Sequence, residues 1–362
     1  MISPPPRPRG IPIALLILGL GLFLGGCGRG APSAQKEMVL LRFDGPLHEP
    51  EWTKKQDFTL ALAEDAPRVV KFPASAADAG GGTPGPDGIA SSGALGELPE
   101  SLAPNASKPD QAYLAQPNLL RIVLMDTRDL RPVRSFDLEE SPQWVAVHPG
   151  SQTLFALSED GSTVSEVDLE DPTKLDLLDS GTPSYLKVDA GEEARIDAPE
   201  RGLEPEFWLW GPGGISQYLG SPPEPKVSMP IDARSFTLDA DTAQRVYVGE
   251  DGSGRVVALE GDAAGGMDGK LRVVAEQDLG QTAQYLDEEE LWLVAATQDK
   301  LVQMRRDDLS VLTATDFRSF LQRKDLGDAK VSGMIVTEDR VLLTLKGEPY
   351  VLSVRKTDKT QA

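Results

Sequence analysis

Short apolar strands recur along this chain at a near-constant step, and that recurrence limits the folds open to it. Trp144–His148, Thr153–Glu159, Thr163–Leu169 and Lys174–Leu178 are rich in Val, Leu and aromatic residues. Turn clusters such as His148-Pro-Gly150 and Asp160-Gly161-Ser162 separate them. Four strands in about 40 residues, then four more, is the pattern of a propeller blade. Each unit opens with a small or polar residue followed by a large apolar one: Asp57-Phe58, Gln143-Trp144, Ser184-Tyr185, Ser235-Phe236, Gln284-Tyr285 and, more weakly, Gly333-Met334. The last four steps are about 41, 51, 49 and 49 residues, inside or near the blade range. The first is about 86 residues and spans 73–118, a stretch rich in Pro, Gly, Ala and Ser with almost no β-branched residues. Such a composition buries too little surface to fold alone. We read 73–118 as a disordered insertion within the first blade. The likeness of Phe58-Thr-Leu-Ala-Leu to Phe236-Thr-Leu-Asp-Ala supports that placement.

The expected fold is an all-β propeller over 38–358, with six blades and seven as the alternative. Ser332–Thr337, Arg340–Leu345 and Tyr350–Arg355 make three strands of the last blade. The lone strand Met38–Asp44 is expected to supply the fourth and close the ring, because an unpaired edge invites aggregation. Trp208 and Trp210 alternate on a predicted second strand, one ring buried and one nearer the surface. Phe317–Lys324 is the one predicted short helix.

Against 57 Asp and Glu the chain sets 36 Lys and Arg, a net charge of −21. This excludes the basic footprint that nucleic-acid binding needs and disfavours lying flat on anionic lipid. Arg7 and Arg9 precede an apolar run, Ile11 to Gly26, that ends in Leu24-Gly25-Gly26-Cys27, with the chain's one cysteine. The run is short of the ~20 residues a spanning helix needs. It resembles a bacterial lipoprotein signal. The resemblance implies a signal peptide over 1–26, lipidation of Cys27, and a tether over 27–37. It places the protein outside the cytoplasm, lipid-anchored in a bacterial cell envelope, at the outer membrane if the cell is Gram-negative. No cysteine is left for an internal disulfide.

Val-Leu-Met-Asp-Thr, Ser141-Pro-Gln-Trp-Val-Ala-Val-His-Pro-Gly and Thr-Val-Ser-Glu-Val-Asp fall within Val123 to Asp168. That stretch resembles the YVTN/YncE-like propeller repeat over about one blade. The turn departs from the family pattern, with Gly150 directly after Pro149, and the later blades lack the Pro.

Catalytic constellations are scarce. His48 and His148 are the only histidines, so a three-histidine zinc site is excluded. No Gly-x-Ser-x-Gly elbow accompanies either, and His148 is expected to serve its turn. Asn105-Ala-Ser107 matches a glycosylation sequon by chance. No cofactor is expected, with calcium as the one open option because oxygen ligands abound. Turn carboxylates Asp65, Asp189, Asp239, Asp241, Asp287 and Asp339, with Glu64 and Glu338, are expected to form an acidic rim on one face. The residues before the inner strands, Gln56, Gln143, Ser184, Arg234, Gln284 and Lys330, are expected to converge on a binding mouth at the other. Arg234 is the cation among them that would meet an anionic group. The chain is expected to be a monomeric, non-catalytic, protein-binding scaffold in the envelope. The alternatives are a sugar- or cell-wall-binding propeller and a calcium-dependent enzyme (lactonase, lyase or glycan hydrolase).

Overall fold

The computed structural model describes residues 38–74, 88–169, 175–179, 193–200, 202–239, 245–261, 269–289 and 291–357. The strands lie in chain order as β1 (Met38–Arg42); β2 (Leu47–Thr53), β3 (Phe58–Ala63), β4 (Val69–Pro73) and β5 (Ala90–Ser91); β6 (Ser101–Pro104), β7 (Gln111–Gln116), β8 (Arg121–Asp126) and β9 (Arg131–Asp137); β10 (Pro142–His148), β11 (Thr153–Ser158), β12 (Thr163–Asp168) and β13 (Leu175–Asp179). Then come β14 (Arg195–Asp197), β15 (Glu206–Gly211), β16 (Gly214–Leu219) and β17 (Glu224–Met229); β18 (Ala233–Leu238), β19 (Arg245–Glu250), β20 (Arg255–Gly261) and β21 (Gly269–Asp278); β22 (Tyr285–Glu289), β23 (Trp292–Ala296), β24 (Lys300–Arg305) and β25 (Val311–Asp316); and β26 (Val331–Val336), β27 (Arg340–Leu345) and β28 (Tyr350–Arg355). The short helix α1 (Phe317–Gln322) falls where the sequence places it, and the Asp316 carboxylate caps it by accepting from Ser319 N at 2.9 Å.

Each group of four is an antiparallel meander, and the sheets are arranged like blades. Five sheets have four strands. A sixth has eight, because β17 and β21 pair in parallel and join two meanders at their outer edges. Counted as hydrogen-bonded sheets there are six; counted as meanders among the described residues, seven. Strand β1 lies along β28 with Met38 opposite Val354 and Arg42 opposite Tyr350, which closes the ring as expected.

The second strand of each meander is buried on both faces, as in FTLALA (β3), TLFALS (β11), WLVAA (β23) and RVLLTL (β27). That is why these segments read as continuous apolar runs instead of alternating ones. Outer strands such as β9 and β25 are largely exposed. Apolar clusters fill the spaces between neighbouring meanders. Phe155, Phe207 and Tyr218 pack one of them, with ring centroids 4.7 and 4.8 Å apart. A blade cannot bury its faces alone, so stacking on its neighbours supplies the core. Trp208 is 1% exposed and Trp210 half-buried, the alternation expected of β15.

Serines at or near the start of inner strands have a physical role. Ser101 Oγ accepts from Val145 N at 3.1 Å, Ser235 Oγ donates to Ala283 O at 2.8 Å and Ser332 Oγ donates to Leu47 O at 3.1 Å. Each stitches one inner strand to the next. Gly333 allows a close approach, since a Cβ there would strike the ring of Pro50 on β2.

Two expectations are corrected. The stretch 73–118 is not one disordered insertion: β5, β6 and β7 lie within it, and β6 and β7 belong to a separate sheet with β8 and β9. Residues 75–87 of it lie outside the described residues. The first unit is also out of frame. Phe58 starts β3, a second strand, whereas Phe236 lies on β18, an inner one. The sequence match between them aligns a second–third strand pair with a first–second pair, and β2 was missed. Asn105 is 1% exposed, and its Oδ1 accepts from Ser107 N, Ser107 Oγ and Lys108 N, so the sequon is a turn.

Candidate functional site

All inner strands start at the same end of the ring. The turns between second and third strands come to that end too, as shown by the Gly347 N–H donating to Glu64 Oε2 at 2.9 Å. A cavity of about 690 Å³ opens there, lined by His48, Glu100, Arg234, Gln284, Tyr285, Lys330 and others. Three of the six expected mouth residues therefore line one cavity. Gln143 stands at the start of its inner strand, β10. Ser184 lies outside the described residues, and so does Cys27. Gln56 is a correction: it sits in the β2–β3 turn, at the opposite end, because the inner strand of its blade is β2 and not the segment from Phe58.

The single acidic rim is also corrected. Asp65 is in the β3–β4 turn, on the cavity side, while Asp239 follows β18 and Asp339 lies in the β26–β27 turn, at the far ends of inner strands. Asp287 lies within β22, not in a turn. Asp189 and Asp241 lie outside the described residues. Good turn residues occur at both ends of a meander, so a turn carboxylate does not by itself choose a face. His148 serves its turn as expected: it is fully buried, Ser151 N donates to its Nδ1 at 3.1 Å, and Ser151 Oγ lies 2.8 Å from the same nitrogen.

Sequence reasoning missed the residues that set the electrostatics. Arg195 starts β14, with its guanidinium stacked 3.9 Å over the Trp144 ring and donating to Ala194 O at 3.0 Å. Burial pulls its basicity down, Glu49 raises it, and Arg234 lowers it again. Arg234 is exposed and donates from Nε to Gln284 Oε1 at 3.1 Å. Below this rim lie Glu49 and Glu51 on β2, Asp197 on β14 and Asp287 on β22. All four are enclosed by protein yet keep some water-accessible surface. Burial pushes Glu49 and Asp197 up to about 7 each, against the lowering influence of Arg195 on both and of the 2.6 Å hydrogen bond from Trp210 Nε1 on Asp197. Burial likewise raises Asp287 to about 7, although the N–H groups of Val336 and Glu288 oppose it. Glu51 is driven well above its ordinary value by burial and then by the charges of Glu49, Asp287 and Asp197. His48 is pushed down to about 4 by burial, so it is neutral at pH 7. Glu49 holds a positive φ of 45° beside a register shift in β2 between His48 and Glu51. The alternations His48-Glu-Pro-Glu51 and Arg195-Ile-Asp197 were the available signals, each too short to register as a strand.

Among the described residues, no group of three or more His, Cys, Asp or Glu side chains is arranged to hold a metal ion.

No protein-family profile matches the sequence, and no match is found among characterised proteins. Solved structures do match. The chain is similar to the Cps50 (Swd1) β-propeller domain of Myceliophteria thermophila, at 13% identity over 87% of this chain and 97% of that one, with a TM-score of 0.66. It is also similar to a chain of a mitotic checkpoint complex (11%, 96% and 100%, 0.65) and to the RRP9 WD40 repeats (10%, 90% and 99%, 0.62). The fold is a β-propeller. At these identities the likeness carries the fold alone.

Proposed function

We propose that this chain is a non-catalytic scaffold of the bacterial cell envelope, lipid-anchored through Cys27, whose mouth docks a partner protein. One observation carries the docking face: Arg234, Lys330 and Lys346 line the cavity at the mouth of a chain whose net charge is −21. The leader and the YVTN-like stretch of Val123 to Asp168 support the envelope assignment.

The test is a pull-down from detergent-solubilised native membranes with C-terminally tagged protein, beside a Cys27→Ala control. The expected result is one reproducible partner, and release of the Cys27→Ala protein from the membrane fraction. No partner in repeated trials, or membrane retention without Cys27, overturns the reading.

Inner-strand carboxylates favour a second reading, a calcium-dependent enzyme, through Glu49, Glu51, Asp197 and Asp287. They are not grouped as ion ligands, which ranks it below the scaffold. A rise in melting temperature with calcium, lost in Glu51→Gln, would reverse that order.

A further inference from the structure

We propose that the mouth takes an extended acidic segment of a partner protein, with one carboxylate on Lys330 and Lys346, a second on Arg234, and apolar side chains on Leu98; this rests on the docking reading above and names what docks. Lys330 immediately precedes β26 and Lys346 immediately follows β27. Continuing the pairing of Val331 with Leu345 sets the two lysines directly opposite each other, and Lys346 N donates to Lys330 O at 2.8 Å. Opposite residues of an antiparallel pair put their side chains on one face, where like charges destabilise the sheet. Both side chains are exposed, and both line the cavity. Among the described residues neither has an ion pair or a side-chain hydrogen bond. An anion seated between them relieves the repulsion.

Arg234, on β18, is a second seat. The meander that begins with β22 lies between the two, and its residues bridge the gap. Arg234 Nε donates to Gln284 Oε1 at 3.1 Å, and Tyr285 Oη donates to Val331 O, next to Lys330, at 3.4 Å. The terminal N–H groups of Arg234 have no partner among the described residues. Arg318 lines the same cavity but is occupied: it donates to Gln298 O at 2.6 Å, Gly327 O at 2.6 Å and Ala329 O at 2.7 Å, and meets Asp299 at 3.3 Å. The free cations thus form two seats with the neutral Gln284 and Tyr285 between them. A single phosphate would fill one seat and leave the other empty. Two carboxylates on an extended chain, which advances about 3.3 Å per residue, can fill both.

Another wall of the cavity is apolar. Leu98 lines it and is 37% exposed. Its neighbour Glu97 accepts from Asn118 Nδ2 at 3.0 Å, and Gln116 Nε2 donates to Glu97 O at 2.9 Å. These bonds clip the segment to the β7–β8 turn, where Leu119 and Leu120 are 42% and 44% exposed. Three exposed leucines at the mouth edge of one blade favour a protein segment over an anionic glycan. Glu64 and Glu100 also line the cavity, but Glu64 is tied to the Gly347 N–H at 2.9 Å, and Glu100 directly precedes β6 on the leucine wall. An acidic residue is therefore directed to the lysine wall. Repulsion from the rest of this acidic chain is screened beyond about 8 Å in physiological salt, so the two seats decide where the segment docks.

Fluorescence anisotropy on the full-length protein in detergent tests this. The probes are labelled Gly/Ser dodecapeptides, blocked at both ends, with a Leu near each terminus. One series carries two Glu separated by one to four residues; the others carry one Glu, two Gln, or one phosphoserine. At least one two-Glu peptide is expected to bind saturably, about ten-fold tighter than the two-Gln peptide, tighter than the single-Glu and phosphoserine peptides, and more weakly as salt rises. Lys330→Gln/Lys346→Gln and, separately, Arg234→Gln are each expected to weaken it about five-fold or more. The lysine variant should not lower the melting temperature, because it removes a like-charge contact. Leu98→Ser is expected to weaken binding, and Arg131→Gln on the exposed strand β9 to leave it unchanged. Equal binding of the two-Glu and two-Gln peptides, undiminished binding by the lysine variant or by Leu98→Ser, or equally tight binding of the phosphoserine peptide overturns the inference. So does displacement of the peptide by a galacturonate oligomer at equal carboxylate concentration, which would make the ligand a glycan. If the membrane partner is still captured by the lysine variant, the acidic-segment receptor falls and the scaffold stands. If a two-Glu peptide binds as expected but no partner is ever captured, the scaffold falls and the receptor stands.

Discussion

Arg306 and Arg195 are the same chemical group largely withdrawn from water in two parts of one ring, and they are handled in opposite ways. Arg306 is 9% exposed and meets Glu288 Oε2 at 2.5 Å and Asp239 Oδ1 at 4.0 Å, while Tyr247 donates to Asp239 at 2.8 Å. Charge there ties β22 and β24 to the end of β18. Arg195 has an aromatic ring beneath it and another guanidinium nearby. Where a carboxylate sits within hydrogen-bond reach, charge fastens neighbouring blades. Where carboxylates are near but out of reach, the charge rests on an aromatic face.

The contrast can be broken by mutation. Arg306→Ala removes from the interior the cation that Glu288 and Asp239 meet, and is expected to cost about 3–5 kcal/mol in urea denaturation. A cost below about 1 kcal/mol would mean that the pair does not fasten the blades. Leu41→Ala, at a position 1% exposed on the closing strand, is expected to cost about 3 kcal/mol. A near-neutral result would show that β1 is not needed for closure.

Channel carboxyls provide a pH test. Glu49, Asp197 and Asp287 keep their protons up to about pH 7 in the fold, but only to about 4 when unfolded. Between those values the folded state binds more protons, so stability falls as pH rises from about 4 to about 7. Asp197→Asn should flatten that slope, measured as the difference between urea midpoints at pH 5 and pH 7.5. An unchanged slope would show that Asp197 ionises normally. The smallest effect is expected from Arg234→Gln, which should shift stability by no more than about 0.5 kcal/mol because no carboxylate loses a partner. A larger loss would put Arg234 with Arg306 as a fastening residue.

The parts of the fold legible in sequence are those where burial leaves a strong pattern. Strands β10 to β12, β26 to β28 and the closing β1 were readable because buried strands carry runs of Val, Leu and Phe between turn residues. Strand β2, LHEPEWT, was not: Pro50 breaks the run, and channel-facing carboxylates replace the apolar residues of an inner strand. Strands β6 (SLAP) and β7 (QAYLAQ) hide in and beside an Ala-, Ser- and Pro-rich stretch, where their few large apolar residues, Leu102, Tyr113 and Leu114, make no recognisable run. Missing β2 shifted the first unit by one strand, and that shift misplaced both Gln56 and Asp65. Arg234, Gln284 and Lys330 come together along one cavity because their units were in frame. Arg195 and Asp197 belong to a three-residue strand, below what periodicity can report.

The pairing of β1 with β28 has a consequence for how the molecule is made. Among the described residues, the first strand in chain order finds its partner in the last. A growing chain is therefore an open arc with bare strand edges at both ends, and no amount of waiting closes it early. A transcript truncated within the final strand yields a nearly complete polypeptide that keeps the hazard of a half-built one.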